Sequence, residues 1–75
     1  MKKEDALKKA EKYKCFEGKK FEHKGNNPKI ITVSTVDIGY TEGSTSEYDA
    51  YVSFPNGDTN SVYTVEQFLG LYRQL

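Results

Sequence analysis

Seventy-five residues with a formal net charge of zero, six tyrosines, four phenylalanines and no tryptophan describe one small domain over 1–75, too rich in aromatics to be disordered. Such a chain buries only about 60–65% of the surface it exposes when unfolded, so nearly every large apolar side chain must enter a single core. One cysteine, Cys15, excludes an internal disulfide and no run reaches the length of a membrane span, so a reduced, cytoplasmic setting without a signal peptide is expected.

Residues 3–14, KEDALKKAEKYK, predict a helix, because Ala, Leu, Lys and Glu are strong helix formers and the early acids and late lysines suit the helix dipole. Ala6, Leu7, Ala10 and Tyr13 share one narrow face, which places this helix at the edge of the fold. Gly18 offers an exit in the left-handed conformation. KKFEHK, 19–24, reads as a short edge strand anchored by Phe21, and GNNP, 25–28, as a turn.

KIITVSTVDIGY, 29–40, is the clearest strand, rich in β-branched residues. Ile31 and Val33 fall on one face, and Val36 and Ile38 on the other. One inserted residue near Ser34 and Thr35 would bring all four inward, so the pattern predicts a bulge or a sharp bend there. TEGSTS, 41–46, reads as a polar loop.

Tyr48, Ala50, Val52 and Phe54 then alternate with Glu47, Asp49, Tyr51 and Ser53, the signature of a strand with one buried and one wet face. Asn56-Gly57 predicts a type I′ hairpin turn leading into a strand with Val62 inward, and Pro55 belongs at the strand's end or at an unpaired position. Thr64 and Gln67 have the spacing of a reciprocal capping box, with Tyr63 and Phe68 at the staple positions. Val65, Phe68, Leu69, Tyr72 and Leu75 form an apolar stripe, predicting a helix over 65–74 in which Gly70 marks close packing.

Helix, four short strands, helix is an α+β order. Tight connections and one bent strand imply a strongly curved antiparallel sheet, a small barrel plugged by the last helix. In outline the chain resembles the small SH3-like proteins found among bacterial and phage open reading frames. The resemblance covers topology alone and implies no functional residues. An open antiparallel sheet with two helices packed on one face is the alternative.

Charge is unevenly placed. Residues 1–29 hold ten lysines against five acids, +5, whereas 30–75 hold Arg73 against six acids, −5. Two halves of opposite sign attract one another when packed, and this is the reading preferred over a basic surface for an anionic partner. Cys15 is expected to act as a small hydrophobe and His23 as a solvated polar residue, since a Cys-His nucleophile needs an orienting third group and an oxyanion hole. One Cys and one His do not make a zinc site, and NGDTN lacks the acidic spacing of a calcium loop.

No catalysis, metal or other cofactor is therefore expected. The favoured reading is a protein-interaction module, an adaptor or inhibitor of a larger bacterial or phage protein, acting as a monomer or weak homodimer away from membranes. Its partner would meet an acidic, tyrosine-bearing surface of Tyr40, Glu42, Glu47, Asp49 and Tyr51, because Tyr offers large contact area at low entropy cost. The null is that cross-strand Tyr pairs only stabilise a wet sheet face. The alternative function is single-stranded nucleic-acid binding by Lys12, Lys14, Lys19, Lys20, Lys24 and Lys29, with Tyr13, Phe16 and Phe21 stacking on bases. An unpaired edge at 19–24 or 59–63 would also admit another strand, including one from a second copy.

Overall fold

The computed structural model of the chain describes residues 1–25, 29–41 and 47–75. Helix α1 (Lys3–Lys12) runs into a single 3-10 turn (Lys14–Phe16), and the strands follow: β1 (Lys20–His23), β2 (Ile30–Thr32), β3 (Thr35–Thr41), β4 (Glu47–Asn56) and β5 (Thr59–Thr64). Helix α2 (Val65–Leu71) and β6 (Tyr72–Gln74) complete the order. The architecture is α+β, with two antiparallel three-stranded sheets ordered β2-β1-β6 and β3-β4-β5. No closed barrel forms among the described residues.

The bend expected near Ser34 and Thr35 is the joint between the sheets. Val33 still pairs with the first sheet, its N–H donating to Lys19 O at 3.0 Å, while Ser34 N–H already donates to Ser53 O at 2.9 Å. The break restores the apolar phase. Ile31, Val33 and Val36 are all buried and Ile38 packs against the same core, which a straight strand of period two would forbid.

Three elements differ from expectation. The segment 19–24 is not an edge: β1 is the central strand of its sheet, flanked by β2 and β6. The last helix stops at Leu71, not 74, and Tyr72 turns extended at φ −129°, ψ 151°. Tyr72 is thereby 5% exposed, stacked on Phe68 at 5.0 Å and edge-on to Phe54 at 5.2 Å. A further helical turn would leave β1 without its second neighbour, and β pairing prevails over the helical stripe, leaving Leu75 62% exposed. Gly70 marks no close contact, since a methyl group there would meet nothing within 4 Å.

The β4–β5 turn is the third. Only Gly57 has positive φ, at 66°, so Gly57 and Asp58 are the central pair and Asn56 faces Thr59. Positive φ at the first central position alone is the pattern of type II′, not type I′. This register pairs Ser53 with Val62 and Val52 with Tyr63, so Val62 points outward and Tyr63 inward, the reverse of the expectation. Pro55 pairs with Asn60, and the pairing of β4 with β3 reaches only to Ser53, so the missing N–H of Pro55 costs no ladder bond.

The core is one cluster. Phe16, Phe21, Phe54, Phe68 and Tyr72 form its aromatic centre, and Val33, Val36, Ala50, Val52 and Val65 surround them. Ala10 of α1 belongs to the same cluster, so the helix lies over the core side of β3 and β4. Ala6 and Ala50 are both fully buried, and small residues let helix and sheet approach closely; Leu7, on the flank, stays 47% exposed. The cap of α2 forms as the spacing predicts: Thr64 Oγ1 accepts from Gln67 N–H and Gln67 Oε1 accepts from Thr64 N–H, each at 3.2 Å. Tyr63 and Phe68 both pack against Phe54.

Candidate partner-binding site

Helix α1 covers the inner face of β3 and β4, so the outer face of the β3-β4-β5 sheet carries the side chains that alternate away from it: Asp37, Gly39, Tyr51, Ser53 and Val62. Tyr51 lies across Gly39. A methyl group on Gly39 would stand 2.6 Å from the Tyr51 Cδ2 and Cε2 atoms, so the absence of a side chain at 39 is what lets the ring lie down. Beside it is a shallow depression of about 290 Å³ bounded by Asp37, Gly39, Tyr40, Tyr51, Ser53 and Val62. The Asp37 carboxylate is exposed on its rim, with Oδ1 accepting from Ile38 N–H at 2.8 Å.

The residues expected to form the site are only partly brought together. Tyr40 and Tyr51 border the same depression. They approach it from opposite faces of the sheet, because Tyr40 alternates with Val36 and Ile38 and lies tilted beside Tyr48, with ring centroids 4.9 Å apart. Glu47 and Asp49 are engaged within the chain. Glu47 pairs with the terminal ammonium of Met1 at 3.1 Å, and Asp49 accepts from Lys9 Nζ at 3.0 Å. Glu42, and the loop expected over 41–46 beyond its first residue, lie outside the described residues.

Lys9 holds α1 to the acidic half of the chain, ion-paired with both Asp49 and Glu66. Partial burial pulls its pKa down, but hydrogen bonds and charge from Glu66 and Asp49 outweigh this and hold it above the usual lysine value. Glu22 and Arg73 join β1 to β6 at 2.6 Å. With the Met1–Glu47 pair, these contacts all join the first half to the second; the Lys9 and Met1 pairs set a cation of the basic half on acids of the acidic half, whereas Glu22–Arg73 runs the other way.

Four of the six lysines proposed for nucleic acid make contacts within the chain. Lys12 lies 5.5 Å from the Tyr13 ring, and Lys14 pairs with Glu17 and donates to Val36 O. Lys24 donates to Leu69 O, while Lys29 donates to Asn56 Oδ1 beside the β4–β5 turn. Lys19 and Lys20 are exposed at the start of β1. Phe16 and Phe21 are 9% and 0% exposed, so neither ring is open to a base.

Cys15 is exposed, not packed as a small hydrophobe, because it sits on the outside of the 3-10 turn whose inward residue is Phe16. His23 is half-buried rather than solvated: its ring meets Tyr72 edge-on at 5.0 Å, and Nδ1 accepts from Gly25 N–H at 2.9 Å. Among the described residues, no three His, Cys, Asp or Glu side chains gather to hold a metal ion, and no helix is long and apolar enough to cross a membrane.

A second depression, of about 590 Å³, lies between β5 and α2 and is lined by Val62, Tyr63, Gln67, Gly70 and Leu71. Sequence reasoning missed it by placing Val62 inward. Counting pairs outward from a two-residue Gly57-Asp58 turn would have found it, since that count sets Ser53 opposite Val62. No family model, curated protein or solved structure matches this chain.

Proposed function

We propose that the chain is a non-catalytic protein-interaction module that takes an extended, basic segment of a partner protein on the outer face of β3 and β4. The observation that carries this reading is the depression shared by Tyr40 and Tyr51, with the exposed Asp37 carboxylate on its rim. The Tyr51 ring supplies contact area on that face, and a single acid favours Lys or Arg in the occupant. An adaptor or inhibitor acts through such a surface. The fold is read as an SH3-like small barrel left open between β5 and β6, the two strands that α2 connects. Support for that reading is the run β6-β1-β2 continuing through the joint at Val33 and Ser34 into β3-β4-β5. Nucleic-acid binding is the weaker reading, because Lys12, Lys14, Lys24 and Lys29 are engaged within the chain and Phe16 and Phe21 are in the core.

Selection from a random peptide display library tests the reading. Enriched peptides should be basic, and should lose binding to Tyr51→Ala and Asp37→Lys proteins that keep wild-type circular dichroism. Peptides that bind both variants unchanged, or a library that yields no enrichment, would refute it.

A further inference from the structure

The two edges of the β3-β4-β5 sheet are treated differently. In an antiparallel ladder, alternate residues turn their N–H and C=O toward the neighbouring strand, and those between turn them away. On β3 the away-facing groups of Val36 are taken up: its N–H donates to Glu17 Oε2 and its C=O accepts from Lys14 Nζ, each at 2.9 Å. Ile38 N–H is occupied by Asp37 Oδ1. The edge strands of the other sheet, β2 and β6, are three residues each, and β6 carries Arg73. Short edges and charges are the usual means of discouraging strand addition.

β5 has none of these. Its sequence, TNSVYT, contains no charge and no proline. The two-residue turn makes Asn56–Thr59 a hydrogen-bonded pair, so the ladder bonds to β4 fall on Thr59, Ser61 and Tyr63. Asn60, Val62 and Thr64 face outward. Thr64 N–H is used by the α2 cap, whereas the main-chain groups of Asn60 and Val62 have no partner among the described residues. The Val62 side chain is itself 56% exposed.

We infer that β5 is a self-association edge, on which a second copy of this chain adds antiparallel through its own β5. The free groups are self-complementary. A two-fold axis at Ser61 sets Asn60 opposite Val62 of the second copy and Val62 opposite its Asn60. Two donors and two acceptors on each copy then satisfy one another, joining the sheets into one of six strands. A neutral strand suits this arrangement, because a charge at 61 would face its own image and charges of one sign elsewhere on β5 would be brought close across the axis. The formal charge of the whole chain is also zero, so no long-range repulsion opposes association. The depression between β5 and α2 leaves space beside the edge for the turn of the incoming copy. So short a contact buries less than the roughly 1,200 Å² of a stable interface, and the dimer is weak.

Disulfide trapping in a Cys15→Ser background distinguishes this register from other contacts. Ser61 would face its own counterpart at a non-hydrogen-bonded position, where Cα atoms lie about 4.5 Å apart, within disulfide reach. Ser61→Cys should therefore cross-link to homodimer in a glutathione buffer, well ahead of Asn60→Cys and Val62→Cys, which face different residues. On dilution from millimolar to micromolar concentration, amide shifts should move at Asn60 to Val62, and Val62→Lys should abolish that change. Equal cross-linking at all three positions would overturn the inference. So would shifts confined to Val36 to Tyr40, a monomer at millimolar concentration, or a dimer that survives Val62→Lys. Cross-linking and dilution are run without peptide, and peptide capture is judged by Tyr51→Ala and Asp37→Lys, so the two readings fail separately.

Discussion

Gly39 and Tyr51 should behave as one unit, and adding a methyl group at 39 should have opposite signs with and without the ring. The added Cβ would lie 2.6 Å from two ring carbons. Carbon atoms rest about 3.5–4.0 Å apart, so the ring must retreat by roughly 1 Å or swing off the sheet. Overpacking of this kind costs about 1–3 kcal/mol. Gly39 does not need positive φ, so alanine there meets no backbone strain and recovers about 0.5–1 kcal/mol of chain entropy. Gly39→Ala should thus be neutral to destabilising by about 2 kcal/mol in the wild type, yet stabilising by about 0.5–1 kcal/mol in a Tyr51→Ala background. At about 4–8 °C per kcal/mol for a domain of this size, the coupling is readable as a difference of several degrees. Thermal unfolding of the four proteins, followed by far-ultraviolet circular dichroism, measures it. If alanine at 39 has the same effect in both backgrounds within about 0.5 kcal/mol, the ring does not lie over Gly39 and the depression is misdescribed.

Thr64→Ala should cost about 1 kcal/mol, lowering the melting temperature by roughly 4–8 °C, because it leaves Gln67 N–H uncapped at the start of α2; an unchanged melting temperature would contradict the cap. Glu17 accepts the Val36 N–H, and this bond, helped by Lys14 and opposed by partial burial and Asp37, holds its carboxyl below the usual glutamate value of about 4.3. A carboxyl depressed on folding adds stability that is complete above its unfolded pKa and is lost as pH falls through its folded pKa. Wild type should therefore outlast Glu17→Gln at neutral pH, with the gap in melting temperature closing below about pH 4.3; parallel curves down to low pH would refute the clasp.

Much of the fold was legible because local chemistry and pattern agreed. The Thr64–Gln67 box, the buried alternation of Ala50, Val52 and Phe54, and the positive φ of Gly18 follow from residue type alone. The phase slip between Val33 and Val36 announced a bend, though not that the two halves would serve different sheets. The differences arose where local pattern left two answers open or a distant strand decided. Val62 and Tyr63 exchange faces when the turn shifts by one residue, and both are apolar enough to be read inward. Tyr72 fits a helical stripe as well as a strand, and only β1, far away in sequence, decides. For the site, Tyr40 and Tyr51 were legible as excess aromatics, whereas the engagement of Glu47 and Asp49 depended on where α1 docks.

The placement of β6 has a consequence for how the molecule assembles in time. The contact between Glu22 and Arg73 joins residues 51 apart, whereas β3, β4 and β5 are sequential neighbours. Closing long loops before they return contact energy slows folding, so the meander forms early and β1 waits for its second flank. The cap at Thr64 then acts as a pointer: by fixing where α2 starts, it aims Tyr72 at the one slot left beside β1. Conservative core substitutions in β4 should slow folding, whereas Tyr72→Leu, which removes the ring packed on Phe54 and Phe68, should chiefly hasten unfolding, and a folding rate equally sensitive to both would show that the two sheets nucleate together.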